Sequence, residues 1–201
     1  GRFYQLTVLN TISATCLTST NIVYPDIHKT IDLEESILWY EVLWGYYDLG
    51  TDLGTAWRSP GYDDSAWSRG RPLLGVESGV TLSNLAPKGF PLNTPLQLEG
   101  IQARTTYYFR TQFENNLPSV TKFYLTHVID DGAIFYLDGV ELARFNMPVG
   151  PIDYSTISTS GVEAAHRTNG LYTIAPGPHT LAVEVHQAST ASSDVVFGAA
   201  F

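Results

Sequence analysis

The sequence predicts an all-β protein, an antiparallel β-sandwich of jelly-roll type, on three observations. Hydrophobic side chains alternate with a period of two in several segments, helical periodicity is nearly absent, and glycine, proline and asparagine separate the alternating segments. Alternation marks strands with one face in a core, because successive side chains of a strand point to opposite sides. Many such strands with turns between them bury those faces by stacking two sheets.

Residues 1–36 form a β-prone N-terminal extension, whose stretch 1–31 is rich in Thr, Ile, Val and Tyr, with few charges and no glycine after Gly1. It is too hydrophobic for a solvated tail. An exposed arm of this kind needs cover. It therefore supplies either a strand of its own sandwich or an arm that adds a strand to a neighbouring copy. The sandwich proper spans residues 37–201. Leu33–Leu43 is the best helix candidate, yet Trp39, Tyr40 and Val42 suit a strand equally well.

Further on, Thr106–Glu114 places Tyr107, Phe109, Thr111 and Phe113 on one face and Tyr108, Arg110 and Gln112 on the other. Lys122–Ile129 does the same with Phe123, Leu125, His127 and Ile129 against Tyr124, Thr126 and Val128. Asp130-Asp131-Gly132 follows, a set of residues suited to a tight turn at a strand junction. Ala133–Leu137 and Val140–Arg144 are short strands joined by Asp138-Gly139, a two-residue hairpin signal, since both central residues of a type I′ turn need positive φ. Thr180–Gln187 sets Leu181, Val183 and Val185 opposite Ala182, Glu184 and His186.

A chain of 201 residues can bury a sizeable core, and 44% hydrophobic against 15% charged residues excludes a disordered one. The net charge is −9 and only Lys29, Lys88 and Lys122 are lysines, which excludes nucleic acid and an anionic membrane surface as partners. No apolar run reaches the roughly 18–20 residues that span a bilayer. Cys16 is the single cysteine and makes no intrachain disulfide. Sparse lysine with abundant Thr, Ser, Gly and Tyr points to an extracellular protein. The Gly-Arg-Phe start is what a processed N-terminus would leave, and no Asn-x-Ser/Thr sequon occurs.

No enzyme is expected. His28, His127, His166, His179 and His186 have no metal-ligand spacing, no G-x-S-x-G elbow occurs, and Cys16 has no nucleophile signature. Glu184 and His186 share a strand face, as an acid/base pair or as the commoner hydrogen-bonded structural pair.

From about Ile37 to Phe201 the chain resembles the galactose-binding-like jelly-roll domains of large secreted bacterial proteins. The residues that carry the likeness are Gly54–Arg58, Pro60–Trp67, Pro72–Gly75, Thr105–Arg110, Ile129–Gly139, Ala143–Pro148, Leu181–Gln187 and Ser192–Phe197. The resemblance implies a non-catalytic, carbohydrate-binding sandwich, in some members with a structural calcium. Asp130-Asp131-Gly132 before a hairpin is also similar to the calcium-dependent sugar site of protective-antigen-like adhesin modules. There, paired aspartates hold Ca²⁺ and the ion holds sugar hydroxyls, which suits a hard cation that takes six to eight oxygens.

These resemblances imply ligand-binding groups at Asp130, Asp131, Arg144, Asn146, His186 and Gln187. They imply Ca²⁺ ligands at Asp130, Asp131 and Asp194, with Asn146 and Asp153 as further contributors. Trp57 and Trp67 either stack on sugar or pack in the core. The core is favoured, because a turn at Asp63-Asp64-Ser65 presents Trp67 inward. Trp44, Tyr46, Tyr47, Tyr108 and Tyr124 are candidates for an exposed platform or interface. The partner is then a polysaccharide or glycan. The alternative is a structural subunit of an extracellular filament or surface assembly, joined to other copies through residues 1–36.

Overall fold

The computed structural model describes residues 42–77, 91–97 and 104–201. The extension over residues 1–36, the boundary at 37, Cys16, His28 and most of Leu33–Leu43 lie outside the described residues. Among the described residues eleven strands build two sheets: β1 (Trp44–Tyr47), β2 (Ser68–Gly70), β3 (Leu74–Val76), β4 (Thr94–Pro95), β5 (Thr106–Asn115), β6 (Thr121–Asp130), β7 (Gly132–Leu137), β8 (Val140–Phe145), β9 (Ala165–Ile174), β10 (Gly177–His186) and β11 (Val195–Ala200). One sheet has six strands in the order β2-β1-β5-β10-β7-β8, the other five in the order β4-β3-β11-β6-β9. All pairings are antiparallel except β3 with β4. The chain is an all-β sandwich, as its alternation predicts.

The faces are also those that the period of two assigns. Tyr107, Phe109, Phe113, Leu181, Val183, Val185 and Phe135 from the six-stranded sheet meet Phe123, Leu125, Ile129 and Phe197 from the other. Phe109 stacks on Phe197 with ring centroids 3.9 Å apart, and Trp44 meets Phe197 edge-on at 4.8 Å. Truncating one such buried ring costs about 3–5 kcal/mol. The Asp138-Gly139 hairpin joins β7 and β8 with φ of 52° and 87°, the left-handed values that its turn requires.

Two features depart from the alternation. First, the outer face of the six-stranded sheet is covered rather than solvated. A loop carrying a 3-10 turn, Ala56–Arg58, lays Trp57 and Trp67 on Tyr108, Ile134, Tyr136 and Ala182. The Trp57 ring centroid lies 4.8 Å from that of Tyr108 and 5.9 Å from that of Tyr136. Arg110 pins this loop by donating to the carbonyls of Trp57 and Ser59 and to Asp64 Oδ2. Tyr108 is therefore buried, whereas Tyr124 on the other sheet is exposed.

Second, Asp130-Asp131-Gly132 makes no local reversal. It carries the chain from β6 in one sheet to β7 in the other, across a cis peptide between the aspartates. Glycine follows because a Cβ at residue 132 would stand 2.7 Å from Met147 Sδ and 3.0 Å from the Asn146 carbonyl.

Candidate functional site

The register of the five-stranded sheet brings four carboxylates together at one end. Val76 of β3 lies opposite Val195 of β11, Val196 opposite Asp130 of β6, and Ile129 opposite Ala165 of β9. Four adjacent strands therefore share one rim. Each contributes one acidic residue there: Glu77 just past β3, Asp194 just before β11, Asp130 at the end of β6, and Glu163 two residues before β9. One oxygen from each lies within 4.8 Å of all the others. Glu163 is exposed, Glu77 and Asp194 are half-buried, and Asp130 is 2% exposed.

Electrostatically this is an unfavourable arrangement for four anions. Burial, reinforced by Asp131, Asp194, Glu77 and Glu163, pushes the Asp130 carboxyl up to about 8. Burial and then Asp194 and Glu163 raise Glu77 as well. The Glu77 Oε2 atom is enclosed without a hydrogen-bond partner. A buried charge is normally paired or bound to a metal, and a buried oxygen without a donor is costly.

A divalent cation answers both demands. Opposite ligands of a calcium ion at 2.3–2.6 Å stand about 4.6–5.2 Å apart, against about 4.0–4.2 Å for magnesium. The four oxygens, all within 4.8 Å of one another, lie at separations that a shared cation could span.

Of the residues singled out on sequence, Asp130 and Asp194 belong to this cluster, and Glu77 and Glu163 join them. The Asp131 carboxylate is turned to backbone amides: Oδ1 accepts from Val162 N at 2.8 Å and Oδ2 from Ala188 N at 2.7 Å. Asn146, at φ 51°, donates to the carbonyls of Asp131 (3.1 Å) and Ser160 (2.7 Å). Gln187 donates through Nε2 to the Asp194 carbonyl at 2.6 Å. His186 is fully buried and donates through Nδ1 to the Thr156 carbonyl at 2.7 Å. Arg144 holds Glu141 on its own strand and the Pro148 carbonyl. Asp153 accepts from Ser155 and Thr156 in an exposed turn. Glu77 and Glu163 carry no motif. Their one signal is an acidic residue beside a strand end, which is informative only once the strand order is known.

Comparison with known proteins gives no matching family model and no matching curated relative. Solved structures do match. A β-glucuronidase from Bacteroides uniformis matches at 16% identity and a TM-score of 0.41 over 82% of this chain and 18% of that one. The PA14 domain of the MpAFP antifreeze protein matches at 12% identity and a TM-score of 0.36, over 90% of this chain and 86% of that one. The PA14 sugar-binding domain from an RTX adhesin matches at 11% identity and a TM-score of 0.34, over 78% and 85%. This chain thus spans under a fifth of the glucuronidase.

Proposed function

We propose that this chain is a non-catalytic, extracellular glycan-binding module that holds Ca²⁺ through Glu77, Asp130, Glu163 and Asp194. The observation that carries the reading is the convergence of four carboxylates from four neighbouring strands on one rim, around a buried Asp130. Four carboxylate oxygens leave two to four of calcium's six to eight positions for other oxygens. Exposed Glu163 keeps that side of the rim accessible. A pair of vicinal sugar hydroxyls suits the remaining positions. Four carboxylates around one divalent ion keep the rim anionic, so a neutral glycan is favoured over a uronate or sulfated one.

The non-catalytic part of the reading draws on Glu184 and His186. The acid/base pair that the strand face suggests is buried and committed to internal hydrogen bonds.

Glycan-array binding in Ca²⁺ and in chelator, for the wild type and Asp130→Asn, tests the proposal. Saturable binding to neutral glycans, lost in chelator and in the variant, is expected. Silence across the panel removes the glycan assignment, and calorimetry without Ca²⁺ uptake removes the ion.

A second reading, a subunit of an extracellular assembly, draws on β9. Among the described residues this ten-residue strand ends its sheet without a partner on its outer edge, beside exposed Leu171 and Tyr124. A chain that is monomeric by size-exclusion chromatography, with or without residues 1–36, excludes it.

A further inference from the structure

The rim has a second layer of side chains that touch no candidate ligand oxygen but hold the loops that carry them. Glu163 sits on the loop between β8 and β9, and Asp194 on the loop between β10 and β11. Loops of this kind have no ladder to fix them, and four carboxylates repel one another. Something must hold these two loops against Asp130 before an ion arrives.

Asp131 stands at the point where both loops meet. One of its oxygens accepts from the amide of Val162, the neighbour of Glu163, and the other from the amide of Ala188, at the head of the loop that ends in Asp194. A carboxylate that accepts two backbone amides forms charge-assisted bonds, stronger than neutral ones. Gln187 and Arg167 extend the arrangement. Gln187 donates to the Asp194 carbonyl at 2.6 Å, and Arg167 to the Glu163 carbonyl at 3.2 Å. Asn146 locks the Asp131 backbone to Ser160 on the first loop.

We infer that Asp131 is a positioning residue rather than a metal ligand: its carboxylate clamps the Glu163 and Asp194 loops to Asp130 and so pre-assembles the rim. The inference rests on the cation reading above. It divides the aspartate pair, with Asp130 facing the ion and Asp131 facing the protein. Orienting groups behind metal ligands typically change affinity 10–100-fold.

The test uses the full chain and its Asp131→Ala, Asp131→Asn and Asp130→Asn variants, with Ca²⁺ titrated by calorimetry. Eu³⁺ is the luminescent probe, because its lifetimes in H₂O and D₂O count the waters on the ion. Amide exchange at Val162 and Ala188 is followed in chelator. The expected results are a roughly 10–100-fold weaker Ca²⁺ affinity in both Asp131 variants, faster exchange at the two amides, and an unchanged water count at saturation. Asp130→Asn should instead gain inner-sphere water without loosening the amides.

A gain of water on loss of Asp131 makes it a ligand and overturns the inference. So does unchanged affinity with the amides already released. If Asp131→Ala does not fold, Asp131→Asn, which keeps one acceptor oxygen, decides by the same readings. A wild-type chain that takes up neither ion sinks the cation reading itself, a result distinct from either failure of Asp131.

Discussion

Asp130 and Glu184 are equally withdrawn from water, each 2% exposed, yet their surroundings drive them in opposite directions. At Glu184 burial alone would raise the carboxyl. The His186 ring 3.6 Å away, the Tyr136 hydroxyl at 2.5 Å and the Arg58 guanidinium at 3.2 Å together outweigh it and hold the group below its ordinary range. At Asp130 burial is joined by four more carboxylates, and the group rises to about 8. The difference separates architecture from a site. A carboxylate enclosed by donors is complete within the fold, and its role is to hold the Trp57 loop on the outer face of the six-stranded sheet. One enclosed by its own kind instead holds its proton to higher pH.

The largest expected effect tests the enclosed pair. Glu184→Leu leaves Arg58 and the Tyr136 hydroxyl without their acceptor, and urea denaturation should show a loss of about 3–5 kcal/mol. Asp130→Asn, measured in chelator, should lose nothing and gain stability through relieved repulsion. Equal losses in the two variants would erase the distinction. Next in size, Ca²⁺ at a hundred times its dissociation constant should add about 2.7 kcal/mol to the wild type and far less to Asp130→Asn, read by differential scanning calorimetry.

The pH dependence sharpens the same contrast. Asp130 has a folded pKa of about 8, above its usual 3.8, so the ion-free folded chain binds more protons than the unfolded one in that interval. Its contribution to stability is full below the lower value and is lost as pH rises through the upper. Melting temperatures in chelator should fall over that range, less so in Asp130→Asn, and Ca²⁺ should reverse the trend.

The smallest effect belongs to His127, wholly buried against Phe135 and Phe145 with neither ring nitrogen partnered. Burial, with Arg167 and His166 nearby, lowers it from 6.5 to about 4. Its contribution is present above the first value and lost as pH falls toward the second. His127→Leu should remove that acid slope and change stability at pH 7 by about 1 kcal/mol or less.

Much of the fold is legible in the sequence because a period of two needs no knowledge of neighbours. Phe123, Leu125 and Ile129 declare their face, and Asp138-Gly139 declares its turn. What covers a face is another matter. Tyr108, Arg110 and Glu184 alternate like solvent-facing residues and are buried, because a distant loop closes over them through contacts such as Arg110 with Ser59. The rim was half legible for the same reason. Asp130 and Asp194 stand inside recognisable motifs. Glu77 and Glu163 reach them only through the order β3-β11-β6-β9, in which no two neighbouring strands are consecutive along the chain.

That the chain passes from β6 to β7 through a single residue has a mechanical consequence. β6 lies between β11 and β9 in its sheet, and β7 between β10 and β8 in the other. A load that enters the chain at residue 131 therefore reaches, through β6 and β7, strands paired on both sides in each layer of the sandwich.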